Sequence, residues 1–245
     1  MSLAIECRKI SKSFGKITAV SELDLAIEKG ELYALLGTNG AGKSTTVRIL
    51  SGLLGCDSGS FDILGLGAER EMHKIKEKIA VSPQETAVAG NLSVRENLEL
   101  MAGLFGMRGD ALRQRVDGMI EAFSLSEVER RRAAKLSGGW QRRLSIAMAM
   151  ISDPEIIFLD EPTLGLDVIA RRELWETIRG MKGKKTVILT THYMEEAEAL
   201  SDRIGIMKDG RLIAEGSAEE LTRLSGEPRF EDAFVKIVTG EVSRK

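Results

Sequence analysis

Near the start of the chain, apolar and polar positions alternate as they do in strands with one buried face. The alternation is clearest at 23–27, and the polar residues 28–31 then predict a turn. Residues 33–36, Tyr-Ala-Leu-Leu, form a compact apolar run of the kind that is buried within a parallel sheet. We therefore expect residues 3–36 to form several short strands.

The middle of the chain changes to the spacing of amphipathic helices. Between 93 and 151, apolar residues recur at intervals of three and four, and no strand-like run interrupts them. We take residues 85–150 as a mainly helical insertion. Outside it, a helix is predicted at 44–54 and strands at 155–160 and 186–190, with a helical stretch between the two strands. Such alternation predicts an α/β fold, in which helices connect the strands of a mainly parallel sheet.

Two local signals mark the last part of the chain. An Asp-Gly pair separates two alternating runs at 203–207 and 211–214, which predicts a β-hairpin. Ser217 and Glu220 have the spacing of a capping box, so we expect a helix to begin there.

Composition and charge exclude several classes of function for this chain. Of the 245 residues 43% are hydrophobic, and the net charge is -2, so no general affinity for nucleic acid or anionic lipid is expected. Residues 1–10 carry several charges and lack the apolar core of a secretion signal. The apolar runs are far shorter than the roughly 20 residues that cross a bilayer, so a partner would have to supply any spanning part. Cys7 and Cys56 belong to no cluster, which predicts reduced thiols rather than a disulfide or metal site.

A glycine-rich segment follows the apolar run at 33–36 and precedes the predicted helix. It has the pattern Gly-x-x-x-x-Gly-Lys-Ser of a phosphate-binding loop (P-loop), whose backbone amides point at phosphate oxygens. The amino end of the helix adds a positive dipole. We expect Lys43 to reach the β- and γ-phosphates of ATP and Ser44 to offer its hydroxyl to Mg²⁺. The residues predicted to hold the nucleotide here are Gly37, Thr38, Asn39, Gly40, Ala41, Gly42, Lys43, Ser44 and Thr45.

Two carboxylates follow another apolar run, at 156–159. Ligands of open α/β sheets bind at the carboxyl ends of the strands, which is where Asp160 and Glu161 should lie. Asp160 is the natural partner of Mg²⁺, and Glu161 is a candidate general base for the water that attacks ATP. A solvated Asp-Glu pair is the alternative interpretation, and the phosphate-binding loop argues against it.

These segments occur in an informative order. After the phosphate-binding loop come Gln84, Leu-Ser-Gly-Gly at 136–139, the Asp-Glu pair, Gly-Leu-Asp at 165–167 and then His192. Over residues 4–225, this order and spacing resembles the ATP-binding domain of ABC transporters. The resemblance implies a P-loop NTPase core with a mainly parallel sheet, an N-terminal antiparallel β subdomain and a helical insertion. It implies one domain with three parts: core and β subdomain at 1–84 and 151–225, helical subdomain at 85–150, and a short tail at 226–245.

The resemblance also implies roles for single residues. Phe14 matches the aromatic residue that stacks on adenine, although a lone Phe is more often part of a core. Gln84 matches the glutamine that contacts Mg²⁺ or its water. Asp167 matches the loop aspartate that communicates across a dimer, and His192 matches the switch histidine near the γ-phosphate. Catalysis is accordingly assigned to Glu161, His192, Lys43 and Gln84, and the metal to Ser44, Gln84 and Asp160.

Ser137, Gly138 and Gly139 imply that the ATP site is shared between two chains. In the family this element completes the site of a second copy, so a homodimer would close around two Mg-ATP and open after hydrolysis. Residues 140–150 are predicted to form a helix, which places the three residues at an amide-rich amino end. Trp140 stands where the family usually has Gln, and we expect it to pack at the helix start without a catalytic role.

The resemblance implies a cytoplasmic ATPase subunit that drives a separate integral membrane permease from the inner face of the cell membrane. Residues 192–198 and 230–240 resemble segments of drug- and antibiotic-resistance exporters, so export is the expected direction. One alternative is a non-transport ATPase of the same family that acts on ribosomes or DNA. Such relatives usually carry two nucleotide domains or a long coiled coil, and neither is visible here. A small-molecule phosphotransferase is a third interpretation, which leaves the Ser-Gly-Gly element and His192 unexplained.

Overall fold

In the computed structural model, residues 2–241 are described, and they form two β-sheets packed with α-helices. Residues 242–245 of the predicted tail lie outside the described residues. The strands are β1 (Leu3–Phe14), β2 (Ile17–Glu28), β3 (Leu32–Gly37), β4 (Ser58–Ile63), β5 (Leu66–Gly67), β6 (Ile79–Ser82), β7 (Ile156–Asp160), β8 (Thr186–Thr191), β9 (Arg203–Lys208) and β10 (Arg211–Gly216). The helices are α1 (Lys43–Leu50), α2 (Ala68–Lys76), α3 (Val94–Leu104), α4 (Gly109–Ala122), α5 (Gly138–Met150), α6 (Val168–Arg179), α7 (Met194–Leu200), α8 (Ala218–Ser225) and α9 (Phe230–Thr239).

The larger sheet has the strand order β10-β9-β3-β8-β7-β6. All neighbours pair in parallel except β9 and β10, which form an antiparallel edge hairpin. Every residue of the central strand β3 is buried, as its continuous apolar sequence predicts. The α/β fold class with a mainly parallel sheet is therefore confirmed. Because the strands run in one direction, β3, β6, β7 and β8 all end at the same edge of the sheet.

The smaller sheet, in the order β2-β1-β4-β5, pairs antiparallel throughout and confirms the antiparallel β part. The expectation of several short strands over 3–36 is wrong, because β1 and β2 each extend over 12 residues. Their pairing contains register shifts, and Lys9 and Glu22 have positive φ angles of 49° and 45°. Bulges of this kind interrupt the period of two, so a long bent strand looks like several short ones.

Helix α5 packs against β6 and β7 and lies almost wholly inside the molecule. It begins at Gly138, two residues before the predicted start, with Ser137 as the N-cap residue. Helix α1 ends at Leu50 rather than 54, since the chain turns through Gly52 at a φ of 67°. Boundary differences of this size are common when a helix end is set by packing and turns.

Both local signals near the end of the chain are confirmed. Asp209 and Gly210 connect β9 to β10 with φ angles of 48° and 77°, as a two-residue hairpin turn with the strand twist requires. Ser217 caps α8 by accepting from the amide of Glu220, whose carboxylate accepts from the Ser217 amide at 2.8 Å. Cys7 and Cys56 are both free thiols. No helix within residues 2–241 has both the length and the apolar character that a membrane span needs.

Candidate functional site

The glycine-rich loop joins the carboxyl end of β3 to the start of α1. A Cβ atom at Gly37 would lie 2.4 Å from the carbonyl oxygen of Met207, and one at Gly42 would lie 2.3 Å from that of Ala19. Gly42 also has a φ of 104°, which side chains rarely allow. Only glycine fits at these two positions. The structure thus has the strand, loop and helix in the order that a phosphate-binding loop requires.

The side chain of Lys43 folds back over this loop. Its Nζ donates to the carbonyl oxygens of Gly37 at 2.8 Å and Thr38 at 3.2 Å. It also lies 3.5 Å from Oε1 of Glu161, and the lysine side chain is only 5% exposed. A desolvated cation at the amino end of a helix is an environment that attracts phosphate.

Asp160 connects the loop to two strands of the sheet. Its Oδ1 accepts from the Ser44 hydroxyl at 2.9 Å and from the Thr190 hydroxyl at 2.5 Å. A serine hydroxyl beside a carboxylate is a pair of hard oxygen donors of the type that Mg²⁺ prefers. Mg²⁺ sites of this class take one or two protein ligands and complete their coordination with phosphate and water. The residues present therefore fit the predicted metal.

Glu161 follows β7 with a left-handed backbone at a φ of 47°, an uncommon conformation that is concentrated at functional sites. The amide of Glu161 donates to the carbonyl oxygen of Thr190 at 3.1 Å and to its hydroxyl at 3.0 Å. Its side chain is 7% exposed, and Nδ1 of His192 lies 2.8 Å from Oε2. Two of the four predicted catalytic side chains, those of Glu161 and His192, thus meet directly at the carboxyl ends of β7 and β8.

Gln84 lies exposed in the loop that follows β6. Its carbonyl oxygen accepts from Nη1 of Arg142 at 3.2 Å, and Nη2 of the same guanidinium donates to the carbonyl oxygen of Asp160 at 2.7 Å. The loop of Gln84 and the end of β7 are therefore neighbours. Within residues 2–241, the Gln84 side chain makes no hydrogen bond to Ser44 or Asp160, so its place in the metal-ligand set stays a prediction.

Ser137, Gly138 and Gly139 form the amino end of α5, and the first two are exposed. The Ser137 hydroxyl makes no capping bond to the helix. Cβ atoms built at Gly138 and Gly139 approach Leu166 and Ala170, so this element lies beside the loop at 165–167. Within residues 2–241, no hydrogen bond or ion pair connects the three residues to the phosphate-binding loop. The structure does not bring them into the site of their own chain.

Asp167 has a local role that the sequence analysis missed. Its Oδ1 accepts from the amides of Ile169 and Ala170, both at 2.9 Å, so it is the N-cap residue of α6. The following residues Val168 and Ile169 are apolar yet 63% and 72% exposed. The same loop therefore presents an unusual apolar surface next to Ser137–Gly139.

Phe14 is 48% exposed at the end of β1, so the alternative that it belongs to the core is wrong. The strand that pairs with β1 approaches the phosphate-binding loop, because the carbonyl oxygen of Ala19 lies against Gly42. Lys12 lies over the Phe14 ring at 5.8 Å. An exposed ring on this side of the molecule is compatible with adenine stacking, which stays a prediction.

Trp140 is half-buried against the hydrophobic core at the start of α5, in agreement with the packing role expected for it. The guanidinium of Arg143 lies 4.9 Å from the centre of the indole ring and forms an ion pair with Glu173. These contacts belong to helix packing.

Two buried charged residues near the site were missed by the sequence analysis. Arg142 is 3% exposed, and Glu196 on α7 is 1% exposed with the Trp175 indole donating to its Oε1 at 3.2 Å. Burial raises the pKa of Glu196, although the hydrogen bond from Trp175 opposes the rise. The position of Arg142 on the same helix as the largely apolar stretch 144–151 was a signal that it is buried. Glu196, in contrast, cannot be distinguished in the sequence from the exposed acids of an amphipathic helix.

Residues 20–164 match the sequence profile of the family described as "ABC transporter". Two named relatives carry related descriptions. The "Probable multidrug ABC transporter ATP-binding protein YbhF" of Escherichia coli (strain K12) is 38% identical over 240 residues, which is 96% of this chain and 41% of the relative. The "Daunorubicin resistance ATP-binding protein DrrA3" of Streptomyces coeruleorubidus is 41% identical over 229 residues, which is 93% of this chain and 72% of the relative. The chain thus spans less than half the length of the first of these relatives.

A solved structure has the same fold. The ATP-binding cassette MJ0796, described as the dimeric structure of a post-hydrolysis state bound to ADP and Pi, superimposes with a TM-score of 0.78. It is 28% identical, and the superposition covers 87% of this chain and 98% of that one.

Proposed function

The chain belongs to the ABC transporter family, and we propose that it hydrolyses ATP as one half of a dimer that drives transport through a separate membrane protein. One observation carries the hydrolytic part of this proposal. Lys43, Asp160, Glu161 and His192, predicted from three separate segments, form one contiguous group at the carboxyl edge of the sheet.

The chain's own groups account for nucleotide binding. The amides of the glycine-rich loop and the buried Lys43 ammonium would hold the β- and γ-phosphates, since both present positive charge. Ser44, Asp160 and Gln84 would hold Mg²⁺, which when bound neutralises charge on the phosphate oxygens. Phe14 would stack on the base.

Hydrolysis then needs a group that takes a proton from the attacking water. Glu161 is that group in our proposal, with Oε2 oriented by His192 and Oε1 facing Lys43. The proton moves from water to the Glu161 carboxylate while the water oxygen bonds to phosphorus and ADP leaves. An ionised carboxylate only accepts, so Nδ1 of His192 carries the proton of their shared hydrogen bond. Nε2 is left to face the γ-phosphate, and it can donate there only when the ring is doubly protonated.

The dimer is supported by the position of Ser137–Gly139. This exposed helix amino end lies apart from its own phosphate-binding loop, and its amides are suited to the ATP of a second copy. Asp167 and the apolar pair Val168 and Ile169 lie on the same side and would be covered by that copy. The dimeric state named for MJ0796 agrees with this arrangement.

Transport and its direction rest on the relatives. The names of YbhF and DrrA3 refer to multidrug transport and daunorubicin resistance, and we propose export of a substrate by analogy. We also propose that residues 85–150 act as a helical subdomain that receives a membrane permease, with the chain peripheral on the cytoplasmic face of the cell membrane. A tagged chain purified from detergent-solubilised cells should recover an integral membrane protein. Recovery of ribosomes or DNA without a membrane protein would favour the non-transport alternative.

The ATPase activity is tested with purified protein and Mg-ATP, measuring ADP and inorganic phosphate together. We expect equimolar ADP and phosphate from the unaltered protein and a loss of about 100-fold or more in Glu161→Gln, as for removal of a general base. Glu155→Gln is a matched control, because Glu155 is exposed and lies just before the amino end of β7, the end opposite to Glu161. There it forms an ion pair with Lys78. Unchanged hydrolysis in Glu161→Gln would contradict the assignment. With a small-molecule acceptor added, ADP in excess of free phosphate would indicate a phosphotransferase.

A further inference from the structure

Arg142 is enclosed by backbone carbonyl groups from two segments, 83–84 and 160–162. Its Nε donates to the carbonyl oxygen of Pro162 at 2.8 Å and its Nη2 to that of Asp160 at 2.7 Å. Its Nη1 donates to the carbonyl oxygens of Gln84, at 3.2 Å, and Pro83. One side chain from α5 therefore binds the backbone on both sides of Glu161 and the loop that carries Gln84.

The charge of this guanidinium is solvated by carbonyl oxygens rather than by a paired acid. Within residues 2–241, no carboxylate lies within ion-pair distance of it, and the residue is 3% exposed. Burial lowers the pKa of Arg142 to about 10, while the more distant carboxylates of Asp160, Glu196 and Glu161 oppose the shift. Such burial is costly, and a planar fork with five donors is the group that can satisfy four carbonyls. A lysine ammonium has three donors on one atom and cannot span these oxygens.

We propose that Arg142 is a positioning residue for ATP hydrolysis, which fixes Gln84 and Glu161 relative to helix α5. This inference rests on the proposed function. The amino end of α5 at Ser137 lies five residues earlier, about 7.5 Å along the helix axis. Since that end faces the ATP of the second copy in the proposed dimer, Arg142 connects one ATP site to the catalytic residues of the other. One turn further along α5, the hydroxyl oxygen of Ser145 lies 3.4 Å from that of Ser82 at the end of β6. This contact also joins α5 to the strand that precedes the Gln84 loop.

The test is Arg142→Lys, which keeps the charge and removes the fork. The chain's contacts to the nucleotide in our proposal come from the P-loop, so the Kd for ATP measured without metal should stay within about threefold. The kcat per ATP-binding site should fall about tenfold or more, because Glu161 and the Gln84 loop lose their common support. The Mg²⁺ concentration for half-maximal hydrolysis should rise about tenfold. A residue that served only folding would lower the melting temperature and change neither kcat per site nor the Mg²⁺ requirement.

Arg115→Lys is the matched control. Arg115 also uses a guanidinium fork on backbone carbonyls, donating to Met150 at 2.6 Å and Ile151 at 2.8 Å, but at the opposite end of α5. Its substitution should leave kcat per site and the Mg²⁺ requirement unchanged. If the buried ammonium of Arg142→Lys prevents folding, Arg142→Met supplies apolar volume instead and should show the same loss of kcat.

Absence of hydrolysis in the unaltered protein would overturn the proposed function. Normal hydrolysis in the unaltered protein, together with normal kcat and Mg²⁺ requirement in Arg142→Lys or Arg142→Met, would overturn this inference alone.

Discussion

Nδ1 of His192 lies 2.8 Å from Oε2 of Glu161, although the two residues are 31 positions apart. The contact arises because β7 and β8 are parallel neighbours, so the residues that follow them emerge side by side. It gives the glutamate a fixed orientation while Oε1 faces Lys43. The candidate base is thus held between the His192 imidazole and the Lys43 ammonium, at the carboxyl edge of the sheet.

The contact predicts a specific defect for His192→Ala. Loss of one hydrogen bond to a charged group corresponds to about 1.5–3 kcal/mol, so kcat should fall about 10- to 150-fold with a smaller effect on ATP affinity. Steady-state phosphate release at saturating Mg-ATP measures this. His192→Gln keeps an amide donor and should recover part of the rate. Equal rates in the alanine variant and the unaltered protein would show that this contact is not used in hydrolysis.

Lys43→Ala should weaken nucleotide binding. The β- and γ-phosphates would lose a charged donor, and a loss of about 1.5–3 kcal/mol raises the Kd about 10- to 150-fold. Titration with a fluorescent ATP analogue measures the change. Lys184→Ala is the control, because Lys184 is exposed near the amino end of β8, away from the phosphate-binding edge. An unchanged Kd in Lys43→Ala would contradict the placement of this ammonium in the phosphate site.

The burial of Glu196 predicts that the free energy of unfolding falls as pH rises. Burial raises its pKa above the ordinary 4.5, so the folded protein keeps a proton that the unfolded chain has already released. As pH rises from 4.5 toward that raised pKa, the free energy of unfolding should therefore fall, by about 1.4 kcal/mol for each unit of pKa difference. Glu196→Gln cannot ionise and should lack this loss.

Urea unfolding of the unaltered protein and Glu196→Gln across pH 4.5–7.5 measures the difference. We expect the stability of the unaltered protein relative to the variant to decrease with pH. Glu198→Gln, an exposed acid on the same helix, should follow the unaltered protein. A relative stability that stays level or increases with pH would rule out the raised pKa.

Much of the candidate site could be predicted because the ends of buried strands can be recognised in the sequence. A continuous apolar run predicts a buried strand, so Asp160 and Glu161, which follow such a run, are expected at the edge of the sheet. His192 follows the apolar run of β8 and is expected at the same edge. The contacts of Arg142 could not be predicted, since helix α5 and two segments distant from each other in sequence, 83–84 and 160–162, must first come together. Strand β6 has only four residues, and bulges hide the length of β1. These features depend on tertiary pairing rather than on local periodicity.

The shared ATP site is the central claim, and the association state of Glu161→Gln tests it most directly. This variant should bind Mg-ATP without hydrolysing it, so light scattering after size exclusion should show a monomer without nucleotide and a dimer with it. Adding Ser137→Arg, at an exposed position on the amino end of α5, should leave ATP binding intact and keep the protein monomeric. A Glu161→Gln protein that binds Mg-ATP as a monomer, or one that dimerises equally well with Ser137→Arg, would contradict the account.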